Sequence, residues 1–169
     1  MAKVLLIVNK SGFHSEEIDS LKTAFRYAKH SVKIAAITRT KIVSSDDSEF
    51  LPDIAIYEAN PNYFDVVVVL GQDTKELAKN RSTLSLIRNV ALKEKIVGGI
   101  TMGSLVLAAA GILGGRRATI CPERDAIREL REANARYESR HVVRDGNIIT
   151  ADDPESAEEF LKEIIKMIG

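Results

Sequence analysis

IVGGITMGSLVLAAAGILGGRR, residues 96–117, reads as a buried strand that turns sharply at Thr101-Met102-Gly103 into an Ala-rich helix. Gly114-Gly115 is expected to close that helix, and Arg116-Arg117 to open the next segment. A strand, a tight turn and a helix in this order form a nucleophile elbow, which presents one side chain at the carboxyl edge of a parallel sheet. The apex of an elbow is ordinarily Ser or Cys, because those side chains attack carbonyls once activated. Here the apex is Thr101.

On either side of the elbow the chain alternates strands and helices. Residues 4–8 are a continuous apolar run suited to a central parallel strand. Ser15 is expected to cap a helix carrying Ile18, Leu21, Ala24, Phe25 and Ala28 at helical spacing. Val32, Ile34 and Ala36 alternate as a second strand, residues 40–60 are polar and irregular, and Asn60-Pro61-Asn62 marks a turn. Residues 66–70, VVVVL, are β-branched and read as a buried strand. Asp73 and Glu76 have capping-box spacing for a helix through Leu77, Leu84, Ile87 and Val90. Beyond the elbow, residues 118–121 read as a strand stopped by Pro122, and residues 123–136 as a charged amphipathic helix. Asp145-Gly146 turns a hairpin, and Pro154 starts a last helix carrying Phe160, Leu161, Ile164, Ile165 and Ile168. This order predicts a three-layer α/β/α sandwich with a mainly parallel sheet, folded as one domain over residues 1–169. In such a fold, ligands sit beyond the carboxyl ends of the strands.

Composition excludes several classes. Lys plus Arg and Asp plus Glu are 24 each, and aromatics make up 5%. A chain without a basic excess or stacking platforms is not expected to bind nucleic acid. Residues 96–115 are uncharged over a length that could cross a bilayer, but six glycines interrupt them, so no membrane span is expected. The opening MAKVLLIVN is too short for a signal-peptide core, and the lone Cys121 suits a reducing compartment, so the expected location is the cytoplasm. No His/Cys/Asp/Glu cluster has zinc-site spacing, and no glycine loop matches a dinucleotide fingerprint; neither metal nor cofactor is expected.

Several segments together resemble the ThiJ/PfpI superfamily, which includes the parkinsonism-associated protein and archaeal intracellular-protease-like proteins. They are KVLLIVN with the acidic helix start SEEID, NPNYFDVVVVLG, GITMGSLVLAAAGILGGRRAT, and RDGNIITADDPESAEEF. The resemblance implies a flavodoxin-like fold and a homo-oligomer, dimeric or hexameric. In that family the segment matching Ile100-Thr101-Met102-Gly103 usually reads Ile-Cys-His-Gly or Ile-Cys-Ala-Gly. Its Cys is a low-pKa nucleophile at a helix N-terminus, where the dipole favours a thiolate. A Glu of the first helix contacts that Cys, and the equivalent here is Glu17. The family's oxyanion loop, commonly Pro-Gly-Gly, here reads Leu70-Gly71-Gln72. Three departures therefore fall in one pocket: Thr101, Met102 and Gln72.

A Thr hydroxyl has no accessible anion near neutral pH and needs an adjacent base, yet Met102 stands where the common His would be. The family elbow holds its apex at positive φ, which strains a β-branched residue, so a relaxed turn at Thr101 is expected. The pocket is completed by His14, Gly71 and Gly103, with His14 able to reach Thr101 or Glu17. Cys121, before Pro122 at a strand end, is either a small buried hydrophobe or a relocated thiol facing the same pocket. Two functions are expected to compete. One is a non-catalytic or diverged small-molecule-binding or stress-related protein. The other is a hydrolase or glyoxalase-like enzyme, acting on peptides or α-oxoaldehydes through Thr101 or Cys121.

Overall fold

The computed structural model describes residues 1–169. The strands are β1 (Lys3–Ile7), β2 (Ser31–Ala36), β3 (Ile42–Val43), β4 (Glu49–Phe50), β5 (Ile54–Ala55), β6 (Val66–Val69), β7 (Ile96–Ile100), β8 (Arg117–Ala118), β9 (Arg136–Tyr137), β10 (Val142–Asp145) and β11 (Ile148–Ala151). The helices are α1 (Ser15–Tyr27), α2 (Arg81–Leu92), α3 (Gly103–Ala109), α4 (Arg124–Glu132) and α5 (Ala157–Ile168). Seven strands form one sheet in the order β10-β11-β7-β6-β1-β2-β5. Every pairing in it is parallel except β10 with β11. This is the flavodoxin-like arrangement, with chain reversal beside β1.

Strand periodicity divides the core in two. Leu5 and Ile7 of β1 and Val67 and Val69 of β6 point to one face, where they meet Ile87 and Val90 of α2, Leu107 of α3 and Leu130 of α4. Val4, Leu6, Val66 and Val68 point to the other, against Ile18, Leu21 and Phe25 of α1 and Phe160 and Ile164 of α5. Because both faces are covered, β6 can consist of four consecutive buried valines. No helix is long and apolar enough to cross a membrane.

Several element ends differ from the sequence expectation, each for a local reason. Ser15 lies inside α1; His14 takes the cap position, and the Ser15 hydroxyl donates to Asp46 Oδ2 at 2.6 Å. The segment after Asp73 divides into a 3₁₀ turn, Leu77–Lys79, and α2, whose cap is Asn80 accepting from the Thr83 N–H at 2.9 Å. Asp73 instead turns back onto the Lys75 N–H. The elbow helix ends well before Gly114-Gly115: α3 stops at Ala109, and Gly111, at φ 80°, takes the left-handed position that terminates it. Pro154 opens a 3₁₀ turn that leads into α5.

The elbow is forced by how closely α3 lies on the sheet. A Cβ on Gly103 would stand 2.0 Å from the Val69 carbonyl oxygen. One on Gly99 would stand 2.9 Å from the Ser104 backbone nitrogen. The first turn of α3 thus packs backbone to backbone, which only glycine at these positions allows. Gly103→Ala should therefore cost at least about 3 kcal/mol of unfolding free energy, as overpacking against immovable backbone does. Gly98→Ala, whose Cβ would meet the tip of the Phe160 ring at 2.8 Å, should cost less because a side chain can yield. Urea denaturation followed by circular dichroism measures both, and equal costs would contradict the close-approach argument.

Candidate functional site

Three strand ends and one helix start meet at the carboxyl edge of the sheet. β7 ends at Ile100, and Thr101 turns at φ 61°. The elbow therefore has not relaxed, contrary to expectation, and the reason is visible in its backbone. Thr101 N–H donates to Ala151 O at 3.0 Å, Met102 N–H to Gly71 O at 3.1 Å, and Cys121 N–H to Thr101 O at 3.4 Å. The Thr74 hydroxyl donates to Met102 O at 2.9 Å. With Gly103 pressed on Val69, these bonds leave the apex no other conformation. Lys29, Asp47, Glu94 and Asn134 also have positive φ, but Thr101 is the β-branched member of the set. Its strain is on the order of 1–3 kcal/mol.

Glu17 reaches this apex from the first turn of α1 and is only 4% exposed. Burial pushes its carboxyl up from an ordinary 4.5 to about 7, since an ion is costly away from water, and the nearby Asp153 adds to the rise. Gln72, the Gly71 N–H and the Thr101 hydroxyl lie close enough to moderate it. None of them is near or aligned enough to give either Glu17 oxygen a geometrically sound hydrogen bond. Glu17 thus lies close to Gln72, Gly71 and Thr101, three of the residues singled out from sequence.

The other two candidates stand differently. His14 is exposed at the α1 cap, with its carbonyl accepting from Glu17 N–H at 3.1 Å. Cys121 is half-buried beside the elbow, tied to Thr101 through backbone. Its thiol is pushed up, first by burial and then by the charges of Glu123, Asp153 and Asp152. A thiol among carboxylates is held protonated, the reverse of what a nucleophile needs.

Two residues escaped the sequence reading. Asn9, just beyond β1, and Ser104, in the first turn of α3, are 5% and 0% exposed, and Asn9 Oδ1 and Ser104 Oγ have no partner. Their unpaired state joins that of Glu17, Thr101 and Gln72 Oε1. Buried oxygens without partners are uncommon, each costing about 1–3 kcal/mol. A polar residue directly after an apolar strand, as at Asn9, was the available signal. The wider clefts of about 730, 610 and 760 Å3 open elsewhere and are not lined by Glu17, Gln72 or Thr101.

The model of the DJ-1/PfpI family matches residues 2–167. The uncharacterized protein MJ0967 of Methanocaldococcus jannaschii is 37% identical over 169 residues, covering 99% of this chain and 82% of its own. Deglycase TK1284 of Thermococcus kodakarensis is 26% identical over 166 residues, with 97% and 98% covered. A ThiJ/PfpI domain protein from Brachyspira murdochii superposes with a TM-score of 0.91 at 26% identity, over 98% of this chain and 95% of that one. DJ-1beta of Drosophila melanogaster superposes with a TM-score of 0.87 at 26% identity, over 99% and 90%.

The buried carboxyl sets a pH dependence. In the unfolded chain Glu17 releases its proton near 4.5, whereas the folded protein holds it until about 7. Its contribution is therefore neutral below the lower value, and stability falls as pH rises through this window, then levels off. The loss is on the order of 3 kcal/mol. Glu17→Gln keeps the shape and removes the titration, so its stability relative to wild type should rise between about pH 5 and 8. Denaturation curves collected across that range test this, and parallel profiles for the two proteins would refute it.

Proposed function

The chain belongs to the DJ-1/PfpI family, and from that premise we propose a diverged, non-catalytic small-molecule-binding or stress-related member. In this reading Thr101 replaces the family's nucleophilic cysteine, and the elbow persists as architecture. The observation that carries it is the engagement of the turn's own donors. Acyl chemistry at an elbow needs the N–H following the apex, and a neighbouring loop N–H, free to receive a developing oxyanion. Here Met102 N–H is spent on Gly71 O at 3.1 Å and Gln72 N–H on Gly12 O at 2.9 Å.

Three further facts support the same reading. The Thr101 hydroxyl oxygen is buried, so a substrate would have to displace protein to reach it. Met102 supplies no base, and Cys121 is held as a thiol by the acids around it. We extend the premise to a single-domain homo-oligomer residing in the cytoplasm, on family resemblance and on the lone cysteine.

A second reading has one observation in its favour. The positive φ at Thr101, with its hydroxyl beside Glu17, is what covalent chemistry would require. TK1284 is named a deglycase, and on this reading Thr101 or Cys121 would serve a hydrolase or glyoxalase-like enzyme. Methylglyoxal consumption and peptide hydrolysis by wild type, Thr101→Val and Cys121→Ser decide between them. We expect wild-type turnover no greater than that of Thr101→Val. Wild-type activity that Thr101→Val abolishes would establish the threonine enzyme, and activity that Cys121→Ser abolishes would establish the relocated thiol.

A further inference from the structure

Helix α4 carries Arg124, Ile127, Arg128 and Arg131 at positions i, i+3, i+4 and i+7, which places them on one face. With Pro122 and Glu132 they line a cleft of about 760 Å3, within the range of small-molecule sites. The lining itself carries three guanidinium groups against one carboxylate, while Glu123, Asp125 and Glu129 of the same segment lie outside it.

The arginines differ in how far they are already neutralised. Arg128 is shared between Asp125 at 3.1 Å and Glu132 at 3.8 Å. Arg131 lies over the Tyr137 ring at 5.5 Å and forms no ion pair. Arg124 also forms none, although it is the first residue of the helix, where the dipole disfavours a cation. A bound anion would remove that local conflict.

We propose that this cleft binds a small molecule carrying a diphosphate group. Arg124 and Arg131 are seven residues apart, about 10 Å along the axis, with Arg128 between them. Planar guanidinium forks from both ends of such a row can converge on two linked phosphates, whereas one monophosphate would leave an end unused. Ile127 and Pro122 offer an apolar surface to the body of the ligand. The site is independent of any reaction at Thr101, so neither proposal stands or falls with the other.

Titration calorimetry with inorganic pyrophosphate as the probe, at about 0.15 M salt to screen diffuse attraction, tests the assignment. Wild type should bind, and Arg124→Gln/Arg131→Gln should bind at least about tenfold more weakly. Arg26→Gln/Lys93→Gln, which removes two exposed cations elsewhere, should match wild type within about twofold. All four side chains are exposed, so unchanged melting curves verify that both variants fold. Absence of wild-type binding, or equal losses in the two double variants, would overturn the site.

Discussion

The whole structure depends on one close approach, that of the first turn of α3 to the end of β6. A side chain at Gly103 would drive its Cβ to 2.0 Å from the Val69 carbonyl oxygen, so the helix lies on the sheet with backbone touching backbone. To enter a helix at that distance, β7 must reverse direction within Thr101 and Met102. The reversal is then fastened by Ala151, Gly71 and Cys121, each on a different neighbouring segment. Packing and hydrogen bonding thus dictate a backbone that a β-branched residue would not choose for itself.

That constraint separates frame from chemistry. A positive φ at an elbow is commonly read as strain kept for catalysis. Here the same φ follows from α3 lying on β6, whichever residue occupies the apex. At that apex stand the Thr101 hydroxyl and, beside it, a methionine, and the turn's Met102 and Gln72 N–H groups are already bonded. What remains is Glu17 beside Gln72 and Thr101, all three with buried oxygens lacking partners, as Asn9 and Ser104 have elsewhere in the chain. Their cost is carried by two large apolar layers, one on each face of the sheet.

Much of the fold was legible in residue order because its signals are local. Four valines and Leu70 bounded by Asp65 and Gly71 can hardly be anything but a covered strand, and the period of Ile18, Leu21 and Phe25 names the buried face of α1. Helix ends were less legible: whether Gly111 or Gly114-Gly115 terminates α3, or whether Asn80 interrupts the stretch after Asp73, depends on what each segment packs against. The site divides the same way. Glu17, Gly71, Gln72 and Thr101 were visible through family resemblance, which encodes a tertiary neighbourhood in linear motifs. The angle at Thr101 was misjudged because intrinsic preference was weighed without the Gly103–Val69 contact. Asn9 and Ser104 were missed because a lack of hydrogen-bond partners is a property of three dimensions alone.

The central claim is that packing, and not chemistry, holds position 101 at positive φ. Unfolding free energies of Thr101→Gly and Thr101→Ala test it most directly, since both remove the hydroxyl and the branching methyl and differ only in Cβ. If the turn is imposed, glycine should be the more stable of the two by about 1 kcal/mol, because it alone adopts this region freely. If alanine is the more stable, by the roughly 0.5–1 kcal/mol expected at ordinary φ, the turn at residue 101 is not held as described, and the account fails.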